Sequence, residues 1–195
     1  MANSDTAFGF KPVKHLNGNP WNGKINVYYI PATDAVATFR GDAVKSAGSA
    51  TADGLYPTVT QAAATDAVRG VVIGFSDQPY VAINQDDLLE SYRPASVARY
   101  AFVVDDPDVI FEVQEDSVGN SITADMVGLS TDIAVGTGST VTGLSAMELD
   151  SSDTATGAGQ CKILRVVNRL DNALGDHCKW EVLLIEHEMR AATDV

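Results

Sequence analysis

The stretch VVDDPDVIFEVQED, residues 103–116, combines a tight turn with a period of two and so decides the fold class. Pro107 fixes its own φ, and the aspartates on either side of it can accept hydrogen bonds from nearby backbone, which is typical of a turn. Two faces alternate after the turn, Val109, Phe111 and Val113 on one and Ile110, Glu112 and Gln114 on the other. The sequence therefore predicts a strand after an Asp-Pro turn, with Glu112, Glu115 and Asp116 on a solvated face or at the strand end.

Similar short runs, each of about four to eight residues and bounded by Gly, Pro, Asp, Asn or Ser, recur along the chain. They include INVYYIPAT, VATFRGDAVKSA, LYPTVTQA, AVRGVVIGFS, RYAFVV, DIAVGT, CKILRVVNR and KWEVLLIEHE. This spacing predicts an all-β fold, a β-barrel or a jelly-roll-like sandwich, in a single β-rich domain over residues 25–195.

Helical signals are limited to two short turns. NQDDLLESY has Asn84 or Asp86 as its cap, and TADMVGL has Thr123. Neither segment is long enough to cross between parallel strands, which argues against a βαβ enzyme fold.

Residues 1–24 differ in composition from the rest of the chain. Asn, Gly and Pro interrupt them repeatedly, and isolated aromatic residues stand at Phe8, Phe10 and Trp21. Lys11, Lys14 and Lys24 make the segment locally basic. It has too few apolar residues at any period to predict a helix or strand, yet too many aromatic residues for an inert linker. We expect an extended N-terminal arm that packs either on its own domain or on a neighbouring protein.

The net charge of −13 is concentrated in the middle of the chain. Residues 1–100 hold nine acids and eight bases, residues 101–160 hold eleven acids and no base, and residues 161–195 hold six acids and five bases. Such a surface repels phosphate backbones, so direct binding of nucleic acid is not expected. No apolar run reaches eighteen residues and no signal-peptide pattern opens the chain, so we expect a protein made in a cytoplasm, without membrane association.

Motifs for chemistry are incomplete. GNPWNGKI has the glycine and lysine spacing of a phosphate-binding loop, but Ile25 stands where a hydroxyl is needed and no strand precedes it. His177, Cys178 and His187 could offer zinc ligands, yet no CxxC or HxxxH pair supports them, so we expect solvated histidines and buried thiols at Cys161 and Cys178. The calcium-loop spacing is missing from the acidic stretch, and no GxSxG elbow is present. We therefore predict a protein that is not an enzyme and has no metal or cofactor.

Four long segments carry a resemblance to a known family, namely TAFGFKPVKHLNGNPWNGKINVYYIPATDA, SYRPASVARYAFVVDDPDVIFEVQED, GTGSTVTGLSAMELDSS and CKILRVVNRLDNALGDHCKWEVLLIEHEM. They resemble the head decoration, or cement, proteins of tailed bacteriophages. The resemblance implies a β-rich structural protein on the outer surface of the virion head, assembled in the host cytoplasm. It also implies a dimer or trimer that binds the major capsid protein over junctions between subunits. No catalytic residues accompany the resemblance.

The arm suits this role because aromatic side chains fill pockets across an interface and extended backbone can add to a partner's sheet. The residues predicted to bind the capsid are Phe8, Phe10, Lys11, Lys14 and Trp21. Two other functions stay open at this point. One is a tail or fibre domain that binds a host-surface glycan, and the other is an enzyme such as a lysin or esterase.

Overall fold

The computed structural model describes residues 3–79, 91–154 and 159–190, and short β-strands dominate these ranges. A 3-10 helix spans Ala124–Met126. The strands are β1 (Lys11–His15), β2 (Asn26–Ile30), β3 (Thr38–Phe39), β4 (Ala43–Ala50), β5 (Pro57–Gln61), β6 (Gly70–Ser76), β7 (Tyr92–Arg93), β8 (Arg99–Val104), β9 (Val109–Gln114), β10 (Ser130–Thr131), β11 (Ile133–Ala134), β12 (Glu148–Leu149), β13 (Cys161–Val166) and β14 (Lys179–Leu184).

Five of these strands close into a barrel in the order β2-β5-β4-β6-β8. Every pair is antiparallel except β2 with β5, which are parallel. One buried apolar cluster takes side chains from all five strands, and it therefore fills the barrel. Its members are Tyr28, Ile30, Val44, Val59, Val72, Phe75, Ala101 and Val103.

The second apolar cluster lies between the barrel wall and a five-stranded antiparallel sheet of order β1-β9-β14-β13-β10. This cluster includes Ala43, Val71 and Val104. The residues next to them in the chain, Val44, Val72 and Val103, point into the barrel. Successive residues of a strand face opposite sides, so β4, β6 and β8 are buried on both faces where two apolar residues stand together. The prediction of an all-β fold is confirmed, and its barrel form is the one adopted.

The loop between β2 and β3 is held by one buried cation. Arg93 of β7 has no solvent-accessible surface, and its guanidinium lies 3.6 Å from Asp34 Oδ1. It donates hydrogen bonds of 2.5–2.8 Å to the carbonyls of Pro31, Asp34, Val36 and Val97. A planar guanidinium with five donors suits this role, because loop carbonyls have no ladder partners of their own.

The expectation that residues 1–24 contain no strand is wrong, because Lys11–His15 forms β1 and pairs with β9. Phe10 is 1% exposed and meets Phe111 edge to face with ring centroids 6.3 Å apart. Trp21 packs against the same cluster. An edge strand is stabilised by its pairing partner and needs no apolar period of its own, which explains why the composition did not reveal it. Pro12 is tolerated because it stands on the edge strand.

The solvated face predicted for β9 is also wrong. Ile110, Glu112 and Gln114 are all buried, because the loop after β13 and the chain near Ser4 cover that face. Arg169 Nη1 donates to Glu112 Oε1 at 2.8 Å, and Gln114 Nε2 donates to the Ser4 carbonyl at 3.3 Å. A carboxylate inside a strand is tolerated there because the guanidinium compensates its charge.

Glu115, which the same prediction placed at a solvated strand end, is fully buried. Its Oε2 accepts a hydrogen bond of 2.6 Å from the Ile122 amide. The Asp-Pro turn itself is confirmed, since the Asp108 amide donates to Asp106 Oδ1 at 2.9 Å.

The two predicted helical turns have different outcomes. The turn at TADMVGL is the 3-10 helix Ala124–Met126, although Thr123 caps it without a side-chain hydrogen bond. The other predicted turn, capped by Asn84 or Asp86, covers residues 84–92. Residues 84–90 lie outside the described part of the chain, and Tyr92 belongs to β7. Within the described ranges, no helix has the length and apolar character needed to span a membrane.

Candidate interaction site

Three of the five residues predicted to bind a partner lie together. Phe8, Phe10 and Lys11 line one groove on the surface, where the N-terminal segment crosses the barrel wall. Lys14 is instead engaged by Glu181, with its Nζ 2.8 Å from Oε2. Trp21 is partly buried in the core contact described above, so the structure does not bring these two residues to the groove.

The groove has a volume of about 540 Å³, within the range of pockets that hold a small ligand or a few side chains. Its apolar lining comes from the N-terminal segment, from β6 and from the loop before β12. Its charged lining comes from the N-terminal segment, the turn after β3, β9, the loop after β13 and the start of β14. The principal apolar residues are Phe8, Phe10, Pro12, Val72, Ile73 and Leu144, and the charged ones are Lys11, Arg40, Glu112, Arg169 and Lys179.

Two glycines allow the N-terminal segment to approach the barrel closely. Gly9 has a φ of +73°, and a Cβ added there would lie 2.6 Å from the Gly41 carbonyl oxygen. A Cβ on Gly41 would lie 2.7 Å from the Phe8 carbonyl oxygen, and the Phe10 amide donates to the Gly41 carbonyl at 2.9 Å. Any larger residue would push the two backbones apart, so this glycine pair permits the close approach of the N-terminal segment to the barrel.

The groove is positively charged although the protein is strongly acidic. Four bases and one acid line it, which leaves three positive charges, and the bond from Arg169 to Asp171 reduces this excess to two. The pKa of Arg169 is raised, first by its hydrogen bond to Asp171 and also by the charge of Glu112. Arg40 donates from Nη2 to the Thr142 carbonyl at 2.9 Å, while its Nε has no acceptor among the described residues.

Large exposed apolar residues adjoin this charged lining in the sequence. Leu170, which follows Arg169, is 101% exposed, and Val141, which precedes Thr142, is 90% exposed. Leu170 directly follows a groove residue, and Val141 is linked to the groove through the bond from Arg40 to the Thr142 carbonyl.

The structure does not bring together His177, Cys178 and His187, which were considered as zinc ligands and rejected on the sequence. Cys161 and Cys178 are buried free thiols, as expected, and burial raises the pKa of Cys178 to about 11. His187 is also buried, which corrects the expectation that the histidines are solvated, and its Nδ1 accepts from the Met189 amide at 3.1 Å. Its pKa is lowered, mainly by burial. His177 lies instead beside Asp5 and Glu148.

Sequence reasoning missed Arg40, Leu144, Arg169 and Lys179, because residues from four distant segments meet only in the folded chain. The arrangement can bind a group that carries both negative charge and apolar surface. Compared with protein-family models, curated proteins and solved structures, the chain shows no significant match.

Proposed function

We propose that this chain is a structural virion protein, a decoration protein that binds the outside of a phage head and stabilises contacts between major capsid protein subunits. The observation that carries the proposal is the groove of Phe8, Lys11, Arg40, Leu144 and Arg169, which is apolar and basic on a protein of net charge −13. The resemblance over most of the sequence supports it, and so does the β-rich architecture.

The occupant that fits the groove is an extended segment of the major capsid protein with an acidic residue beside an apolar one. Its carboxylate pairs with the side-chain cations of Lys11 and Arg40. Its apolar side chain packs between Phe8 and Leu144. Long-range repulsion from the rest of the acidic surface disfavours other placements of an acidic partner, so charge gives the contact its orientation.

The open edge of the five-stranded sheet is a poorer site. A partner strand could add to β1 only where the outer edge is free, yet the Trp21 amide already donates to the Val13 carbonyl at 3.1 Å. The His15 amide donates to the Asn19 carbonyl at 2.8 Å, so the chain covers this part of its own edge. Side-chain recognition in the groove is therefore favoured over strand addition here.

The test is binding to empty heads assembled from the major capsid protein of the virus that encodes this chain. We expect the wild-type protein to bind saturably, with a fixed copy number per head, measured by cosedimentation and quantitative gel analysis. Absence of saturable binding by the wild-type protein would contradict the proposed function. Sedimentation of the free protein tests the implied dimer or trimer.

A charge reversal distinguishes the groove from the rest of the N-terminal segment. Lys11→Glu places a negative charge in the groove at an exposed position, and we expect at least a tenfold weaker affinity for heads. Lys24→Glu is the matched control, because Lys24 is also exposed but lies outside the groove, and it should bind as the wild-type protein does. Equal affinity of the two variants would remove the groove from the proposed contact.

Binding of a surface glycan is the second candidate, and one observation favours it. Tyr29, Tyr56 and Tyr100 lie together on the barrel, with both Tyr29 and Tyr56 ring centroids 5.2 Å from that of Tyr100. All three are only partly buried, and aromatic faces beside polar groups are a common feature of ligand sites. Binding to host-surface glycans that Tyr56→Ala abolishes, together with no binding to heads, would favour this function.

A further inference from the structure

Three metal-ligating side chains from distant parts of the chain converge on one point. Asp5 comes from the N-terminal segment, Glu148 from β12 and His177 from the loop before β14. Their ligand atoms all lie within 4.8 Å of one another, and His177 Nδ1 is 3.8 Å from Asp5 Oδ1. The 3.8 Å between His177 Nδ1 and Asp5 Oδ1 is longer than a hydrogen bond, so these two groups face each other without one.

Two of these three groups have buried polar atoms without any partner. Glu148 Oε1 and His177 Nδ1 are inaccessible to solvent, and neither has a hydrogen bond to any residue in the described part of the chain. Buried polar atoms in folded proteins are nearly always paired, and an isolated buried carboxylate oxygen is costly. An orphaned oxygen and an orphaned nitrogen that face the same point therefore indicate that something positive belongs between them.

The surroundings hold the three side chains in place from both sides. Asn3 Nδ2 donates to the carbonyls of Ala173 and Asp176 at 2.8 Å each, and the Ala173 amide donates back to Asn3 Oδ1 at 2.9 Å. These bonds attach the chain next to Asp5 to the loop that carries His177. The His177 amide donates to Ser117 Oγ at 2.6 Å, and its φ of +56° is a left-handed conformation.

The charges around Glu148 are mostly negative. The pKa of Glu148 is raised to about 7, first by burial and then by the charges of Asp5 and Asp116. Glu115 adds to the effect, and His177 opposes it. A bound cation would reverse this unfavourable environment, because it neutralises the carboxylates that otherwise repel one another.

We propose that Asp5, Glu148 and His177 form a binding site for a divalent transition-metal cation of the Zn²⁺ type. One imidazole nitrogen and two carboxylate oxygens suit such an ion, whereas Ca²⁺ and Mg²⁺ require a shell of oxygen ligands. Ligands at about 2.1 Å from Zn²⁺ lie about 3.4 Å apart in a tetrahedron, so the three side chains need to close only slightly around the ion. The ion would link the N-terminal segment to the body of the protein, and this inference does not depend on the proposed function.

The experiment is calorimetric titration of the metal-free protein with Zn²⁺, with Ca²⁺ titrated in parallel. We expect one Zn²⁺ per chain and no comparable binding of Ca²⁺. Glu148→Gln removes a ligand while keeping the side-chain shape, and His177→Asn removes the imidazole but tolerates the left-handed backbone. Each variant should bind Zn²⁺ at least tenfold more weakly, as should Asp5→Asn at its exposed position.

His15→Asn is the matched control, because His15 Nδ1 also faces an aspartate, Asp106 Oδ2, at 3.2 Å. It lies outside the cluster and should leave Zn²⁺ affinity unchanged. Hydrogen exchange of the backbone amides near Asp5 should slow when Zn²⁺ is added to the wild-type protein. Failure of the wild-type protein to bind Zn²⁺ stoichiometrically, or wild-type affinity in both Asp5→Asn and Glu148→Gln, would overturn the proposal.

Discussion

Replacing Glu148 with glutamine should stabilise the metal-free protein at alkaline pH. The pKa of Glu148 rises from 4.5 to about 7 because burial, Asp5 and Asp116 all disfavour its charged form. A group whose pKa is higher in the folded state contributes stability below its unfolded pKa and loses that contribution as the pH rises through the folded value. Stability should therefore decline between about pH 4.5 and pH 7 for this reason.

The size of the effect follows from the difference between the two pKa values. At about 1.4 kcal/mol per pH unit, the difference between 4.5 and about 7 corresponds to about 3–4 kcal/mol. The Glu148 side chain is only partly buried, so solvent screening reduces this figure to about 1–2 kcal/mol. Glutamine cannot ionise, so the variant should be more stable than the wild-type protein by that amount at pH 8.

The assay is urea denaturation of both proteins in EDTA at pH 4.5 and pH 8, with unfolding monitored by tryptophan fluorescence. The two free energies of unfolding should be nearly equal at pH 4.5 and should separate at pH 8. With Zn²⁺ in place of EDTA at pH 8, the order should reverse, because only the wild-type protein keeps the full set of ligands. A variant that is equally stable or less stable in EDTA at pH 8 would show that Glu148 is not electrostatically strained.

Three further predictions concern the fold. Arg93→Met should lower the free energy of unfolding by about 3–5 kcal/mol in urea denaturation, because it removes four hydrogen bonds to loop carbonyls and the cation beside Asp34, and a loss below about 1 kcal/mol would contradict this role. Gly9→Ala should lower the free energy of unfolding by at least about 2 kcal/mol more than Gly18→Ala does. Both glycines have a positive φ, but only a Cβ added at Gly9 would meet other atoms within 4 Å, and equal losses of stability would refute the close approach. Cys161 and Cys178 should resist a thiol reagent in the folded protein and react as two thiols per chain in denaturant, whereas rapid labelling of the folded protein would contradict their burial.

The sequence predicted the all-β fold, as a barrel or a sandwich, because each strand is a short and strongly patterned run. Paired valines such as Val71 and Val72 mark strands buried on both faces, and turn residues bound each run. The alternation of Val109, Phe111 and Val113 correctly identified the face of β9 that meets the core. Both features depend on residues within one strand, so the sequence alone is sufficient to show them.

The errors occur where a residue's surroundings come from far along the chain. Lys11–His15 has no apolar period and becomes a strand through its pairing with β9. Glu112 on its own indicates a solvated face. It lies on a buried face because Arg169, 57 residues along the chain, donates a hydrogen bond to its carboxylate. The groove and the cluster of Asp5, Glu148 and His177 likewise combine distant segments, so no local motif could reveal them.

The pairing of β1 with β9 also sets the order in which the chain can fold during synthesis. All five barrel strands lie between Asn26 and Val104, so they are all synthesised before the first residue of β9 is made. Residues 11–15 must therefore wait for residues 109–112, which takes about 5–20 s at ordinary translation rates. β1 is thus a late addition to the fold, because its partner β9 belongs to the five-stranded sheet and is synthesised after all the barrel strands.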